Sequence, residues 1–223
     1  MSYYKKFRIV IGTPLWRIYL RWAYKTCISD FRKLNFVPNF SKQEFTCLLC
    51  GVGNEVTADE FIRFVLERNK NPHIWILDLG NEQLSAVRHM IEKKYPSVNI
   101  TIKEINALDL ASIIKPNSID WIETDGVFEF FHVASLKKLL IVWKELLSRN
   151  GFITTRACAS RGKVDEFLDN MKVKTAREWL QVENFTHTEK LLDKLFTEAV
   201  FRYVDGPTVA PLYRRYSLNF PSL

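Results

Sequence analysis

The sequence predicts an α/β fold, a doubly wound and mostly parallel sheet with helices on both faces. From residue 45 to residue 155, short apolar runs of strand length alternate with amphipathic stretches of helical period. The apolar run FTCLLC leads into a Gly51-Val52-Gly53 turn, and the next strand, at residues 74–77, ends at Asp78. This order of strand, glycine turn, helix, strand and acid can form a pocket for a ribose-bearing cofactor.

Five parallel strands are indicated before residue 156. After the strands at residues 45–50 and 74–77, the third is predicted at residues 98–105, the fourth at 119–123 and the fifth at 152–155. Helices fill the intervals, and the one at residues 135–147 is expected to end at an Asn150-Gly151 cap. Because ligands bind outside the carboxyl ends of parallel strands, we expect the pocket where these residues converge: Gly51, Gly53, Asp78, Asn106, Thr124 and Arg156.

The pattern changes after Arg156. The segments KVDEFLDNMK and AREWLQ predict an inserted helical region, followed by a last helix at residues 188–196. Residues 198–204 and 212–218 then predict an antiparallel hairpin at the edge of the sheet, which brings the number of strands to seven.

Length and composition favour one α/β domain at residues 41–223 with an N-terminal extension at residues 1–40. No apolar run is long enough to span a membrane and no secretory signal is evident, so we expect a cytoplasmic protein. Cys47 and Cys50 have C-x-x-C spacing, but in a strand they point to opposite faces and are expected to be buried core residues. No cluster of Cys, His and carboxylate residues has metal-ligand spacing, so no metal is predicted.

The formal charge of +7 is carried entirely by residues 1–33, because basic and acidic residues balance in the remainder. From Pro14 onward, a helical wheel groups the basic residues at positions 17, 21, 25 and 32 on one side and apolar residues at positions 15, 18, 19, 22, 23 and 27 on the other. Three interpretations stay open. The helix packs on the domain with a solvated basic face, forms a lid over the active site, or contacts an anionic membrane surface through residues 14–33.

The chain resembles the class I S-adenosylmethionine-dependent methyltransferases over about residues 41–220. The resemblance rests on the blocks CGVGNE, DLGNEQL, NALDL, SIDWIETDGVFEFF and WKELLSRNGFI, and on the two-strand ending. These blocks are similar to the family's glycine-rich loop, its acidic strand end, its adenine-flanking segment, and the fourth and fifth strands with their connections. The resemblance implies a Rossmann-like fold and S-adenosyl-L-methionine as cofactor.

The implied cofactor-binding residues are Gly51, Val52, Gly53, Glu55, Asp78, Leu79, Asn106, Ala107 and Thr124. In this resemblance Asp78 binds the ribose, and Asn106 and Ala107 flank the adenine. Two positions depart from the family pattern, because Leu49 stands where an acid is common and Glu55 stands at the third glycine position. Glu55 could replace the missing acid and bind the ammonium group of the cofactor, or be a solvated acid at a helix start.

In the chemistry that the family implies, a nucleophile attacks the sulfonium methyl group in line, and the protein mainly aligns the two reactants. A general base is needed only when the nucleophile arrives protonated. His132 and Glu129, in the sequence FEFFH after the fourth strand, are the catalytic candidates. A histidine among apolar residues is also commonly a packed side chain with one satisfied nitrogen.

We expect a small-molecule acceptor. Nucleic acid is the less favoured partner, because TDGVFEF lacks the N-P-P-Y or D-P-P-F pattern of amino methylases and no RNA-binding domain is added, but an RNA methyltransferase stays open. Two further alternatives are a noncatalytic methyltransferase-like partner subunit and a nicotinamide-dependent dehydrogenase. The missing third glycine and the terminal hairpin argue against the dehydrogenase.

Overall fold

The computed structural model, which describes residues 4–6 and 11–220, contains a seven-stranded sheet. Its order is β3-β2-β1-β4-β5-β7-β6, with β7 antiparallel to both neighbours and the first five strands parallel. The strands are β1 (Thr46–Cys50), β2 (His73–Asp78), β3 (Ile100–Glu104), β4 (Ile119–Asp125), β5 (Leu147–Cys158), β6 (Arg202–Pro207) and β7 (Tyr213–Asn219). This architecture confirms the predicted Rossmann-like doubly wound sheet with an antiparallel C-terminal hairpin.

Helices cover both faces of the sheet. They are α1 (Pro14–Asp30), α2 (Glu55–Leu66), α3 (Asn81–Lys94), α4 (Val133–Leu146), α5 (Lys163–Thr175) and α6 (Glu189–Glu198). Short 3-10 turns follow α1, β3 and β4, and a π-helical turn, Ala176–Leu180, continues α5.

The sheet separates two apolar cores. One face packs against α1, α2 and α3 around Trp121 and Phe152, whose rings stack with centroids 5.8 Å apart. The other face packs against α4 and α6 around Trp143. Cys47 belongs to the first core and Cys50 to the second, and all four cysteines are buried and free. The predicted burial of these two residues on opposite faces is therefore confirmed.

Helix α1 is part of the first core, but its orientation differs from the prediction. Leu20 and Tyr24 are buried, whereas Leu15 and Ile18, which we expected to face inward, are exposed. The helix is rotated because its basic side turns toward α2. Arg17 pairs with Asp59 at 2.6 Å, and Arg21 pairs with Glu60 at 2.7 Å and Glu67 at 2.6 Å. The helix packs on the domain, but the basic face is paired with acids rather than solvated.

Polar contacts also tie α1 to β7 and to α2. Asp30 pairs with the buried Arg215 at 2.6 Å, and the Ser217 hydroxyl donates a hydrogen bond to the Cys27 carbonyl at 2.8 Å. At the other end of the helix, the Trp16 indole donates to the Thr57 hydroxyl at 3.1 Å. Helix α1 is therefore anchored at both ends.

The predicted Asn150-Gly151 helix cap is wrong. Helix α4 ends at Leu146, Leu147 is already extended, and both residues of the supposed cap lie in β5, beside a shift of register between β4 and β5. A Cβ at Gly151 would meet the Ile119 carbonyl oxygen at 2.8 Å, so the glycine allows close approach of two strands. The Asn-Gly pair that suggested a helix cap therefore lies at an irregularity of the strand.

The hairpin turn is also shorter than predicted. Asp205, Gly206 and Pro207 were expected in the loop but belong to β6, and the strands are joined by residues 208–212. A Cβ at Gly206 would lie 2.4 Å from the Arg215 guanidinium, so this glycine leaves room for the arginine across the hairpin. The Gly-Pro pair that suggested a loop therefore lies in an edge strand, where proline is tolerated.

Candidate functional site

The glycine turn after β1 lies beside Val127, which is in the segment that follows β4. Gly51 has φ +78° and donates its N–H to the Leu77 carbonyl at 2.9 Å, which extends the pairing with β2 by one residue. A Cβ at this position would lie 2.3 Å from Cγ2 of Val127. Glycine is thus required for both the backbone angle and the contact with Val127.

The Asp78 carboxylate is held by the two neighbouring turns. Oδ2 accepts the Val52 N–H at 2.7 Å, and Oδ1 accepts the Gly80 N–H at 2.7 Å. Burial raises the pKa of Asp78, while these backbone donors oppose the shift. Each carboxylate oxygen can accept a further hydrogen bond, so two adjacent hydroxyl groups could bind here.

Helix α2 begins directly beyond the glycine turn. Asn54, which follows Gly53, is its N-cap; Oδ1 accepts the Thr57 N–H at 2.9 Å, whereas the buried Nδ2 has no hydrogen-bond partner among the described residues. Glu55 is the first residue of the helix, and its Oε2 accepts the Tyr4 hydroxyl at 2.7 Å. A carboxylate is favoured at a helix N-terminus, so Glu55 has a structural role there, and its binding of a cofactor ammonium stays a prediction.

The ends of β2 and β3 lie side by side, because the Ile105 N–H donates to the Asp78 carbonyl at 3.1 Å. Leu79, just after Asp78, is 66% exposed. Asn106 caps the following 3-10 turn by accepting the Leu108 N–H at 3.0 Å, and Ala107 is half-buried in that turn. Leu79 thus presents apolar surface directly after Asp78, and Ala107 lies in the turn that follows the neighbouring strand.

A buried ionic cluster joins β4 to β5. Arg156 pairs with Glu123 and, at 3.1 Å, with Asp125, and the Trp121 indole donates to the Thr154 hydroxyl at 2.7 Å. Burial raises the pKa of Glu123 to about 7 and outweighs the opposing effect of Arg156. Arg156 was expected at a strand end, but β5 continues to Cys158 and the guanidinium is inside the protein.

Thr124 points away from this ionic cluster, since successive side chains of a strand alternate between faces. It is fully buried, and its hydroxyl has no hydrogen-bond partner among the described residues. The hydroxyl of Thr155, its register partner on β5, is likewise unpartnered in the described part of the chain. Two buried hydroxyl groups therefore lie beside the strand ends where a ligand is expected.

Glu129 lies in the 3-10 turn after β4 and is only 1% exposed. Its Oε1 accepts the Cys158 N–H at 2.5 Å, while Oε2 has no hydrogen-bond partner within the described ranges. A Cβ at Gly126 would lie 3.5 Å from Oε2 and 3.8 Å from the Tyr213 hydroxyl, so both groups converge above Gly126. Burial raises the pKa of Glu129, an effect that nearby Lys172 opposes.

His132, the other catalytic candidate, lies at the start of a helix. It is the N-cap of α4, where Nδ1 accepts the Ser135 N–H at 3.3 Å, and its side chain is exposed. The structure thus gives the two catalytic candidates different surroundings. Glu129 is buried beside the strand ends and His132 caps a surface helix, and the catalytic role of each stays a prediction.

Sequence reasoning missed the partners of Glu129. Tyr213 begins β7, and Lys172 lies on α5, where it pairs with buried Asp169 at 2.9 Å. The i, i+3 spacing of Asp169 and Lys172 is visible in the sequence but is common on helices, so it did not mark a site. Among residues 4–6 and 11–220, no group of three His, Cys, Asp or Glu side chains could hold a metal ion.

No protein-family model matches the sequence, and no curated protein matches it. Solved structures are similar in fold. The CurJ carbon methyltransferase superposes with a TM-score of 0.67 at 14% identity, over 96% of this chain and 57% of that one. An O-methyltransferase family protein from Burkholderia thailandensis gives 0.65 at 14% identity, over 91% and 57%. LepI, in complex with SAH and a substrate analogue, gives 0.58 at 12% identity, over 81% and 44%. The chain therefore has the fold of the class I S-adenosylmethionine-dependent methyltransferases.

Proposed function

We propose that the protein is an S-adenosylmethionine-dependent methyltransferase that acts on a small-molecule acceptor. The observation that carries this proposal is the Asp78 carboxylate, fixed by the N–H groups of Val52 and Gly80 beside the glycine turn. In a sheet whose last strand is reversed, an acid held at this strand end suits the two hydroxyl groups of a ribose. The cytoplasmic location stays an expectation from the sequence.

The surrounding residues fit the other parts of the cofactor. Exposed Leu79 and half-buried Ala107 offer apolar surface to an adenine ring, and Asn106 begins the turn that follows β3, the strand next to β2. At the amino-acid end, Nδ2 of Asn54 has no hydrogen-bond partner in the part of the chain that the structure describes, and it is a donor suited to a carboxylate. When bound, S-adenosylmethionine would supply an electrophilic methyl group on a sulfonium sulfur.

The role of the protein would then be to align the acceptor and to receive its proton. Glu129 Oε2 is a buried carboxylate oxygen without a hydrogen-bond partner in the described residues, and the Tyr213 hydroxyl converges on the same space. In this proposal Glu129 accepts the proton of a hydroxyl or amine nucleophile while Tyr213 orients it. Alignment of two bound reactants supplies several kcal/mol of catalysis.

Calorimetric titration of the purified protein with S-adenosylmethionine, S-adenosylhomocysteine and NADH tests the cofactor. We expect micromolar binding of S-adenosylmethionine and S-adenosylhomocysteine and no binding of NADH. Binding of NADH alone would favour the dehydrogenase alternative, and binding of none of the three compounds would contradict the proposal.

Acceptor chemistry is tested with methyl-labelled cofactor and a panel of phenols, amines and carboxylic acids. On any acceptor found, Glu129→Gln should lower kcat at least about a hundredfold, the usual size of a general-base contribution, and leave S-adenosylhomocysteine affinity unchanged. His132→Gln is the matched comparison, because His132 is the other catalytic candidate and caps α4. If His132→Gln lowers kcat and Glu129→Gln does not, the base has been misassigned.

A noncatalytic partner subunit is the second candidate. Val127 lies over Gly51, and Leu49 and Glu55 depart from the family's glycine loop, so the amino-acid end of the cofactor has altered surroundings. Cofactor affinity without methyl transfer to any acceptor, together with co-purification of a catalytic partner, would favour this candidate.

A further inference from the structure

Helix α5 buries its polar side and exposes its apolar side, the reverse of an ordinary surface helix. Its inward side is polar, because buried Asp169 accepts the Ser160 hydroxyl at 3.1 Å and pairs with Lys172 at 2.9 Å. Its outward side is apolar and exposed by 41 to 73%, and consists of Val164, Phe167, Leu168 and Met171. A surface helix normally buries its apolar side, so this exposed one requires an explanation.

The charges around this apolar side are arranged by sign. At 100° per residue, exposed Lys163 and Lys174 fall on its border, whereas Asp165 and Glu166 fall on the opposite half of the helix. Asp165 is also neutralised by Arg161 at 3.0 Å. Lys174 is 3.9 Å from exposed Glu178 in the π-helical turn that follows, so Lys163 is the stronger cation of this border. Cations beside an apolar strip, with the acids of the helix itself turned away, are the pattern of helices that lie on anionic membrane surfaces.

Helix α1 carries a second exposed apolar strip. Leu15, Ile18 and Trp22 follow at spacings of three and four residues and are exposed, and exposed Lys25 lies at the border between this strip and the basic side of the helix. Tryptophan is enriched where proteins meet the headgroup region. Residues 1–33 are rich in basic side chains, and although Arg17 and Arg21 are paired with acids of α2, Lys25 is an exposed cation beside this strip.

One end of each strip lies at the edge of the sheet where the carboxyl ends of the strands meet. Helix α5 follows the carboxyl end of β5, and the start of α1 contacts the start of α2 through Trp16 and Thr57. Lys6 then connects the N-terminal segment to the other helix by donating a hydrogen bond to the carbonyl of Trp179, in the π-helical turn after α5. Trp179 is itself exposed.

We propose that the outer sides of α5 and of α1 between residues 15 and 25 form one docking surface for an anionic lipid bilayer. The apolar side chains would enter the headgroup boundary, and Lys163, Lys174 and Lys25 would meet lipid phosphates. The contact is peripheral, since no helix in the described ranges is long and apolar enough to cross a membrane. Docking would turn the strand ends toward the bilayer. An acceptor dissolved in the membrane would then reach Glu129, an inference that rests on the proposed function.

The test is sedimentation of the full chain with vesicles of phosphatidylcholine alone and of phosphatidylcholine mixed with phosphatidylglycerol. Binding to the anionic vesicles that weakens with added salt is expected. The double variant Phe167→Gln/Met171→Gln should bind at least about tenfold more weakly, because it removes two inserting side chains. Ile141→Gln, which changes a similarly exposed apolar residue on α4, should bind as the unchanged protein does.

Circular dichroism checks that each variant is folded. If the double variant does not fold, Lys163→Glu/Lys174→Glu replaces it and should also weaken binding to the anionic vesicles. Absence of vesicle binding, or equal binding by the folded variants, overturns the proposal. A concentration-dependent dimer that the double variant abolishes, without vesicle binding, assigns the surface to a second copy of the chain and equally overturns it. Vesicle binding needs no cofactor, so binding without S-adenosylhomocysteine affinity would support docking while the proposed function fails.

Discussion

Replacement of Asp78 by alanine tests the position of the ribose most directly. Each carboxylate oxygen already accepts one backbone N–H at 2.7 Å, which leaves each oxygen able to accept one ribose hydroxyl. A hydrogen bond to a charged group contributes about 1.5–3 kcal/mol, so the loss of two bonds, offset by rehydration of the hydroxyl groups, predicts about 3 kcal/mol. Calorimetry should therefore show a rise in the Kd of S-adenosylhomocysteine of roughly a hundredfold.

The same change has a separate effect on stability. Val52 is fully buried, so its N–H loses its partner without access to water, whereas Gly80 is only half-buried. An unsatisfied buried donor costs about 1–3 kcal/mol, which should appear as a lower denaturation midpoint in a protein that still folds. Asp109→Ala is the matched control, because it removes one exposed acid near the end of β3. A folded Asp78→Ala variant whose affinity stays within about twofold of the control would refute the assignment of the ribose site.

Two further predictions concern stability. Burial raises the pKa of Glu123 to about 7, so the folded chain keeps a proton that the unfolded chain loses near pH 4–5. The free energy of unfolding should therefore fall as pH rises from about 5 to 7, by at most about 1.4 kcal/mol per pH unit, and denaturant titrations of Glu123→Gln should show a shallower decline. Gly51→Ala should lower the denaturation midpoint, since it adds a methyl group at φ +78° and 2.3 Å from Val127. Val127→Ala in the same chain should recover only the part of this loss that comes from the contact, and complete recovery would show that the backbone angle contributes nothing.

The parts of the fold that local patterns determine were predictable. The β1 strand, the glycine turn and Asp78 follow each other within 33 residues, and each leaves a signal in the residues that form it, so this strand, turn and acidic strand end could be located from the sequence. The order of the parallel strands then follows from their connections.

The parts that distant partners determine were not predictable. Helix α1 has apolar residues on several sides, and its rotation depends on acids of α2, about 40 residues away, that pair with Arg17 and Arg21. The surroundings of Glu129 likewise combine α5 and the start of β7, whose Tyr213 has no local signal of function. Convergence of this kind is a property of the folded chain and not of any one segment.

The contacts between α1 and β7 have a consequence for how the chain folds. Asp30 and Arg215 are 185 residues apart in sequence, and Cys27 and Ser217 are 190 apart. During synthesis α1 therefore leaves the ribosome well before β7, the strand that receives its far end. Until then, the aromatic surface of Tyr24 and Phe31 cannot be fully enclosed, and closure of so long a loop is slow. Protection of the nascent α1 from aggregation is therefore expected to limit the yield of folded protein more than assembly of the parallel strands does.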